Sequence, residues 1–150
     1  MCHSLAKALL FFSAGIIQNQ YEELENDKIK NLLKYQPVAA GGFITGALVV
    51  IGTPLFPIFY SKIGILLSTG SFSLLFTFIT ALLFVLVAAA FIYSILKMTA
   101  QKDDAAAEIK NIPFSMKAPV FISIIMLLVF GILPFLIKGV LMSILNELQL

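Results

Sequence analysis

The sequence is short of charge and of the residues that build most metal and redox centres. Only 12% of its 150 residues are charged, none is arginine, and Cys2 and His3 are its only cysteine and histidine. A single cysteine excludes an internal disulfide and a cysteine-rich metal or iron–sulfur site. A single histidine argues against a histidine metal site. We therefore expect no cofactor, no metal and no catalytic centre in this chain, so any redox chemistry belongs to a partner.

The basic residues are too few and too scattered for nucleic-acid binding. They give a net charge of only +2, whereas nucleic-acid binding needs a basic patch on one face or along one helix. Hydrophobic residues make up 60% of the chain, and the mean hydropathy is +1.02. Soluble domains carry about 25% charged residues. A chain this short and apolar cannot cover its surface with polar groups, so we predict an all-α integral membrane protein in contact with lipid.

Four apolar segments predict about four transmembrane segments within a single membrane domain, 1–150. Their approximate bounds are 1–18, 37–69, 72–97 and 118–138, and the polar stretches between them are 19–36 and 98–117. In the first segment the apolar run Leu5–Ile17 is shorter than the roughly 20 residues that cross a hydrocarbon core. The stretch 19–36 is either a short amphipathic surface helix or a solvated loop.

The ends of the later segments are marked by glycine and proline. Gly70-Ser71 predicts the end of the second segment, and the apolar run Phe72–Leu96 follows it. Pro134 predicts a kink or the exit of the last helix. Residues 139–150 then form a short interfacial helix in this interpretation.

The second segment is too long for one straight crossing, and its middle reads Gly52-Thr53-Pro54-Leu55-Phe56-Pro57. Two prolines remove backbone donors and clash with the preceding turn. The second half is too short for a span of its own, which needs roughly 17 residues. We therefore predict one discontinuous helix, with a first half Pro37–Ile51, an unwound link 52–57, and a second half Ile58–Leu67.

The lysines predict the orientation in the membrane. Seven of them lie in or beside the two polar loops, which are on the same side: Lys28, Lys30, Lys34, Lys97, Lys102, Lys110 and Lys117. The opposite side carries Lys138 alone. Cytoplasmic loops of membrane proteins are enriched in lysine and arginine. We expect a multi-pass protein of the cell membrane, with loops 19–36 and 98–117 in the cytoplasm and the C-terminus outside.

Two lysines fall inside the predicted membrane segments. An intramembrane lysine costs roughly 2.5–3.5 kcal/mol on insertion scales, so a functional role is the default interpretation. Lys62 follows the helix break, and broken helices are where transporters place ion sites; the alternative is that Lys62 snorkels to a lipid headgroup. Lys7 lies four residues after His3, on one helix face, and a proton can pass between the two. Otherwise Lys7 is a terminal lysine near the interface.

Two motifs resemble a known family. The run His3–Gly15 resembles the His-x-x-x-Lys-Ala-Leu-Leu-Phe-x-x-x-Gly signature of the antiporter-like subunits. The run Gly52–Lys62 is similar to the same family's Gly-x-Pro-x-Phe-x-x-Phe-x-Ser-Lys/Glu break, although Leu55 replaces the usual second proline. Respiratory complex I, Mrp cation/proton antiporters and membrane-bound energy-converting hydrogenases and sulfur reductases share this family. The residues of the break look nearest to those of the hydrogenase-type branch.

The resemblance implies a function that the residues alone do not specify. The chain corresponds to the last helices of the family, and Lys7, Lys62 and His3 belong to its second half-channel, with Lys7 in mid-membrane. Such a partial subunit contributes to proton or sodium translocation coupled to electron transfer in an oxidoreductase complex. Other membrane subunits are then its partners, and one of them supplies the missing first repeat. The alternatives are a non-conducting structural subunit and a component of an Mrp-type antiporter.

Overall fold

The computed structural model of the chain describes residues 2–22, 29, 31–100 and 111–148, with side chains at 2–22, 29, 31–99, 111–131 and 133. These residues form six helices and no strand, which confirms the all-α prediction for the described part of the chain. The helices are α1 (Cys2–Tyr21), α2 (Leu32–Tyr35), α3 (Pro37–Ile51), α4 (Pro57–Phe72), α5 (Leu74–Ala100) and α6 (Phe114–Leu148).

Proline and glycine set the limits of the two helices on either side of the break. Pro37 and Pro57 occupy the first position of α3 and α4, where the missing N–H costs nothing and the fixed φ suits a helix. α3 ends at Ile51 and is capped by Gly52, which has a left-handed backbone with φ 90° and donates its N–H to the carbonyls of Leu48 and Val49. The interruption therefore covers residues 52–56.

α4 is longer than predicted, and Gly70-Ser71 does not end it. The helix continues to Phe72, since a glycine in a helix costs only about 1 kcal/mol and the Ser71 hydroxyl is satisfied by donating to the Ser68 carbonyl at 2.8 Å. The break lies at Ser73, which is extended (φ −163°, ψ 127°). The Ser73 carbonyl then accepts both the N–H of Thr77 at 3.1 Å and its hydroxyl at 3.0 Å, in the first turn of α5.

α1 is also longer than its apolar run. It contains 20 residues, or about 30 Å of helix, because the polar residues after Ile17 continue it to Tyr21. One of these, Gln20, is buried and accepts a hydrogen bond from the side-chain amide of Gln36 at 2.8 Å. This bond ties the end of α1 to the residue before α3. Residues 23–28 and 30 of the predicted polar loop lie outside the described residues.

Two helices of the described chain are long and apolar enough to cross a membrane. They are Leu74–Thr99, with a mean hydropathy of 2.8, and Phe114–Gly131, with 2.0, while Pro37–Ile51 is apolar but shorter. The number of four spans stays a prediction. The backbone of α6 runs past position 134 to Leu148, so the predicted separate tail helix is instead part of α6. Residues 101–110 of the predicted loop 98–117 lie outside the described residues, whereas 98–100 belong to α5 and 114–117 to α6.

The core lies between α1, α3 and α6, which pack against one another, whereas α4 packs mainly on α5. A Gly42-x-x-x-Gly46 motif on α3 faces α1. A Cβ atom at Gly42 would collide with Ser13 Oγ and lie 2.7 Å from Val120 Cγ1, and one at Gly46 would lie 3.2 Å from the Ala6 carbonyl oxygen. Small residues at such positions let membrane helices approach closely.

The ends of the helices that border the two polar stretches meet at one end of the bundle. α2 contacts both α3 and α5. The buried core includes Ile29 and Leu32 from one polar stretch and Met98 and Ile112 from the borders of the other. The placement of the two polar stretches on the same side of a membrane stays a prediction.

Candidate functional site

Lys62 reaches back from the second turn of α4 to the last carbonyls of α3. Its ammonium donates hydrogen bonds to the carbonyl oxygens of Val50 and Ile51, both at 2.9 Å. In a continuous helix the N–H four residues later would bond to each carbonyl. For Val50 that residue is Pro54, which has no N–H. The proline therefore frees an acceptor, and the lysine uses it.

Gly52 makes this approach possible in two ways. Its positive φ is a conformation that glycine adopts without steric cost, and this residue turns the chain away from the axis of α3. Its missing side chain also leaves room for the lysine, because a Cβ atom there would lie 3.2 Å from Lys62 Cδ and 3.7 Å from Nζ.

The charge of Lys62 is stabilised by dipoles and by an aromatic ring. The C-terminus of a helix carries a partial negative charge that favours a cation, and Val50 and Ile51 are the last residues of α3. The ring centroid of Phe84 on α5 lies 4.8 Å from Nζ, within range of a cation–π interaction. The site thus joins α3, α4 and α5 around one half-buried amine.

Lys7 lies in a neighbouring groove between α1, α3 and α5. The groove has a volume of about 280 Å³ and is lined by Lys7, Leu10, Phe11, Val50 and Phe91. Lys7 itself is exposed on α1, as is His3 one turn earlier, and His3 does not line the groove. The structure therefore brings Lys7, but not His3, to the α3 terminus that Lys62 contacts.

Val50 and α5 connect the two lysine sites. The carbonyl of Val50 accepts a bond from Lys62, and the same residue lines the groove of Lys7. Phe84 and Phe91 are seven residues apart on α5, so they share one face and lie about 10 Å apart along its axis. One face of α5 thus borders both lysine sites.

The other residues of the break divide into exposed and buried ones. Pro54 is exposed and Pro57 begins α4, whereas Phe56 is buried and packs against Gly131 of α6. Sequence reasoning missed Phe84 and Gly131, because nothing local distinguishes them from other apolar residues. Phe56 is a fixed position of the break motif, but the sequence did not show that it packs on α6. It also missed the Val50 carbonyl, although the position four residues before Pro54 was a usable signal.

In the described part of the chain, no three His, Cys, Asp or Glu side chains lie close enough together to bind a metal ion. The polar chemistry of the described membrane helices thus centres on amines, carbonyl oxygens and aromatic rings. These features define a class: a helical membrane protein with a broken helix whose free carbonyls hold a lysine ammonium.

The chain belongs to the NADH:quinone oxidoreductase/Mrp antiporter transmembrane family, which matches residues 1–91. This confirms the resemblance of the two motifs. The match includes α1, the break, Lys62 and most of α5. It does not reach α6.

Curated relatives are subunits of NADH-quinone oxidoreductases. The chain is 40% identical over 86 residues to subunit L of Rickettsia typhi, a match that covers 54% of this chain and 13% of that protein. It is 43% identical over 63 residues to subunit L of Neisseria meningitidis serogroup B, covering 41% and 9%. It is 34% identical over 86 residues to the chloroplastic NAD(P)H-quinone oxidoreductase subunit 5 of Cicer arietinum, covering 51% and 12%. No solved structure matches.

The chain thus spans a small part of the length of these relatives. They lend no support to the prediction that the hydrogenase-type branch is nearest, which stays a prediction.

Proposed function

We propose that this chain contributes a lysine-based half-channel to an antiporter-like subunit of a membrane-bound respiratory oxidoreductase complex. In this proposal it carries protons, or sodium ions, across the membrane in a process coupled to electron transfer. Membership of the family supports the class of function. The observation that carries the proposal is the Lys62 ammonium bound to the two free carbonyls at the helix break.

The geometry offers a way to couple protonation to movement. As an ammonium, Lys62 donates to two carbonyl oxygens and is attracted by the helix terminus and the Phe84 ring. As a neutral amine it loses the charge on which the attraction to dipole and ring depends. Its flexible four-carbon stem is then free to leave the carbonyls. Proton release thus weakens the link between α4 and α3.

Lys7 is the second group in the proposed path, and its groove meets the same α3 terminus through Val50. His3, one turn away on the exposed surface of α1, is the proposed group that exchanges protons with Lys7. The path is incomplete within this chain, so other membrane subunits are proposed to complete it, one of them with the first repeat. Redox cofactors belong to those partners, and this chain contacts lipid and no nucleic acid.

The proposed orientation follows the lysines. Loops 19–36 and 98–117 lie on the cytoplasmic side of the cell membrane, and the C-terminus lies outside. Support comes from the lysine distribution and from the packing of α2 against both α3 and α5 at one end of the bundle.

Replacing Lys62 by methionine tests the proposal. Lys62→Met keeps the length and the apolar stem but removes the titratable amine, so the complex should assemble and transfer electrons while its ion pumping falls severalfold. Lys7→Met should lower pumping in the same way. Lys34→Met, at an exposed position of α2, is the matched control and should change little. The measurement is the ion gradient formed in vesicles with the complex's own electron donor.

A structural role for Lys62 is the second candidate, because the same two hydrogen bonds also cap the end of α3. Lys62→Arg separates the two. Arginine remains a donor and a cation but does not release its proton. A relay predicts that Lys62→Arg assembles and loses pumping, whereas a structural cap predicts normal pumping. Normal pumping in a Lys7→Met/Lys62→Met double variant would leave only the structural role.

An Mrp-type antiporter component is the third candidate, and the family description includes it. Exchange of sodium for protons in vesicles that have no electron donor would favour that function. Ion transport that requires the electron donor would favour the oxidoreductase.

A further inference from the structure

We propose that Gly131 on α6 and Phe56 in the break position Lys62 by seating the start of α4 against α6. We call the contact between Phe56 and Gly131 the Phe56 seat. The importance of this seat for ion transport rests on the function proposed above. Its effect on the position of the Lys62 amine is independent of that function.

Phe56 is the buried residue of the break. Its side chain is 5% exposed and belongs to the buried core, whereas Leu55 beside it is 53% exposed. Pro54 is exposed as well, and Gly52 and Thr53 are partly buried. Within residues 52–56, the Phe56 ring is therefore the side chain that reaches the core.

Gly131 provides the surface on which that ring rests. A Cβ atom at this position would lie 3.2 Å from Phe56 Cδ1, 3.3 Å from Cε1 and 3.3 Å from the Leu55 carbonyl oxygen. Ordinary carbon–carbon contacts lie at about 3.5–4.0 Å. A side chain larger than glycine must therefore push the ring or the Leu55 backbone away from α6.

The seat is connected to Lys62 through the first turns of α4. The Phe56 N–H donates to the Thr53 carbonyl at 3.0 Å, and its own carbonyl accepts the Phe59 N–H at 3.0 Å. The position of the ring thus sets the start of the helix that carries Lys62. α6 also packs on α1 and α3, so the seat fixes α4 relative to the carbonyls of α3.

The two bonds of Lys62 depend on the position of α4. Both are 2.9 Å, and an N–H···O contact beyond about 3.5 Å is no longer a hydrogen bond. When α4 moves away from α3, the flexible stem of Lys62 must extend to keep both bonds, so such a movement weakens them. α4 has no buried residue of its own, and it packs mainly on α5, with smaller contacts to α1 and α6.

Gly131→Val tests the seat in native membranes that contain the full chain and its complex. The amount of Lys62 modified by an amine-acylating reagent is measured by mass spectrometry, with Lys34, exposed on α2, as internal reference. We expect Lys62 modification to rise severalfold relative to Lys34, and ion pumping to fall. Gly41→Val is the matched control, because a Cβ atom at Gly41 meets nothing within 4 Å. It should leave both readouts unchanged.

Loss of the ring should have the same effect as the larger residue at position 131, because the seat needs both partners. If Gly131→Val prevents assembly, Phe56→Leu removes the ring while filling part of the seat, and should raise Lys62 modification on its own. Unchanged modification in Gly131→Val, or in Phe56→Leu if that variant is used, overturns the proposal. Changed modification with normal pumping supports the seat and contradicts the proposed function alone.

Discussion

At the scale of single residues, the site depends on one proline, one glycine and one lysine, each with a different role. Pro54 cannot donate an N–H to Val50, Gly52 turns the backbone with a positive φ, and Lys62 bonds to the carbonyls that are left free. An unpaired carbonyl away from water costs free energy comparable to a lost hydrogen bond. The lysine thus stabilises the break, and the break stabilises the charge of the lysine.

Gly52→Ala should disturb both the fold and the site. A non-glycine residue in a left-handed conformation costs about 1–2 kcal/mol, and the new Cβ atom would press on Lys62 Cδ at 3.2 Å. We expect a lower thermal unfolding temperature of the complex and reduced ion pumping. Gly64→Ala is the control, since a Cβ atom there meets nothing within 4 Å and alanine favours a helix. Equal stability of the two variants would contradict the role of Gly52.

At the scale of secondary-structure elements, α1 and α3 form the tightest helix pair because small residues line their interface. Ala6 and Ser13 on α1 meet Gly46 and Gly42 on α3. The Ser13 hydroxyl is fully buried and has no hydrogen-bond partner in the described part of the chain. Close backbone contact is therefore the main source of stability here, since lipid supplies no hydrophobic driving force between helices.

Gly42→Ala should destabilise this pair, and the adjacent Gly41→Ala should not. The methyl group at position 42 would collide with Ser13 Oγ and Val120, whereas the one at position 41 meets nothing within 4 Å. We expect less assembled complex and a lower unfolding temperature for Gly42→Ala only. Adding Ser13→Ala should recover part of the loss, because it removes the nearest colliding atom. A Gly41→Ala variant as unstable as Gly42→Ala would contradict the packing argument, since alanine by itself favours a helix.

At the scale of the whole molecule, the described helices bury one side of the protein and leave the other open. Met98, near its end, is the only buried residue of the described apolar span Leu74–Thr99, and α4 contributes no buried residue. Large exposed apolar surfaces mark contacts with membranes or with other proteins. Lipid or other protein surfaces must therefore cover α4 and α5.

The chain expressed alone should not give a stable, folded monomer in mild detergent. Its α4–α5 pair lacks a core, and the ion path proposed above is completed by other chains. We expect aggregation or rapid proteolysis, and recovery when the partner membrane subunits are expressed with it. Size-exclusion chromatography with circular dichroism is the measurement. A monodisperse helical monomer would contradict this prediction.

The sequence by itself determined the helices and the interruption, because both depend on neighbours along the chain. Hydropathy and the positions of Pro37, Pro54 and Pro57 were sufficient to predict Pro37–Ile51 and a break after it, and the two motifs identified the family. The prediction of a helix end from neighbouring residues failed at one glycine and serine pair. Gly70-Ser71 was tolerated inside α4, and the helix ended at Ser73 instead.

Only the tertiary structure decided what the lysines touch. The carbonyls that Lys62 binds, the Phe84 ring above it and the seat formed by Phe56 and Gly131 join residues that are far apart along the chain. The sequence marks Lys62 as a charge that needs partners, since burying a charge is costly. The partners of Lys62 depend on how closely the helices pack. Neighbouring glycines can differ in whether they lie against another helix, and the sequence does not show this difference. Gly42 lies against another helix, and Gly41 beside it lies open.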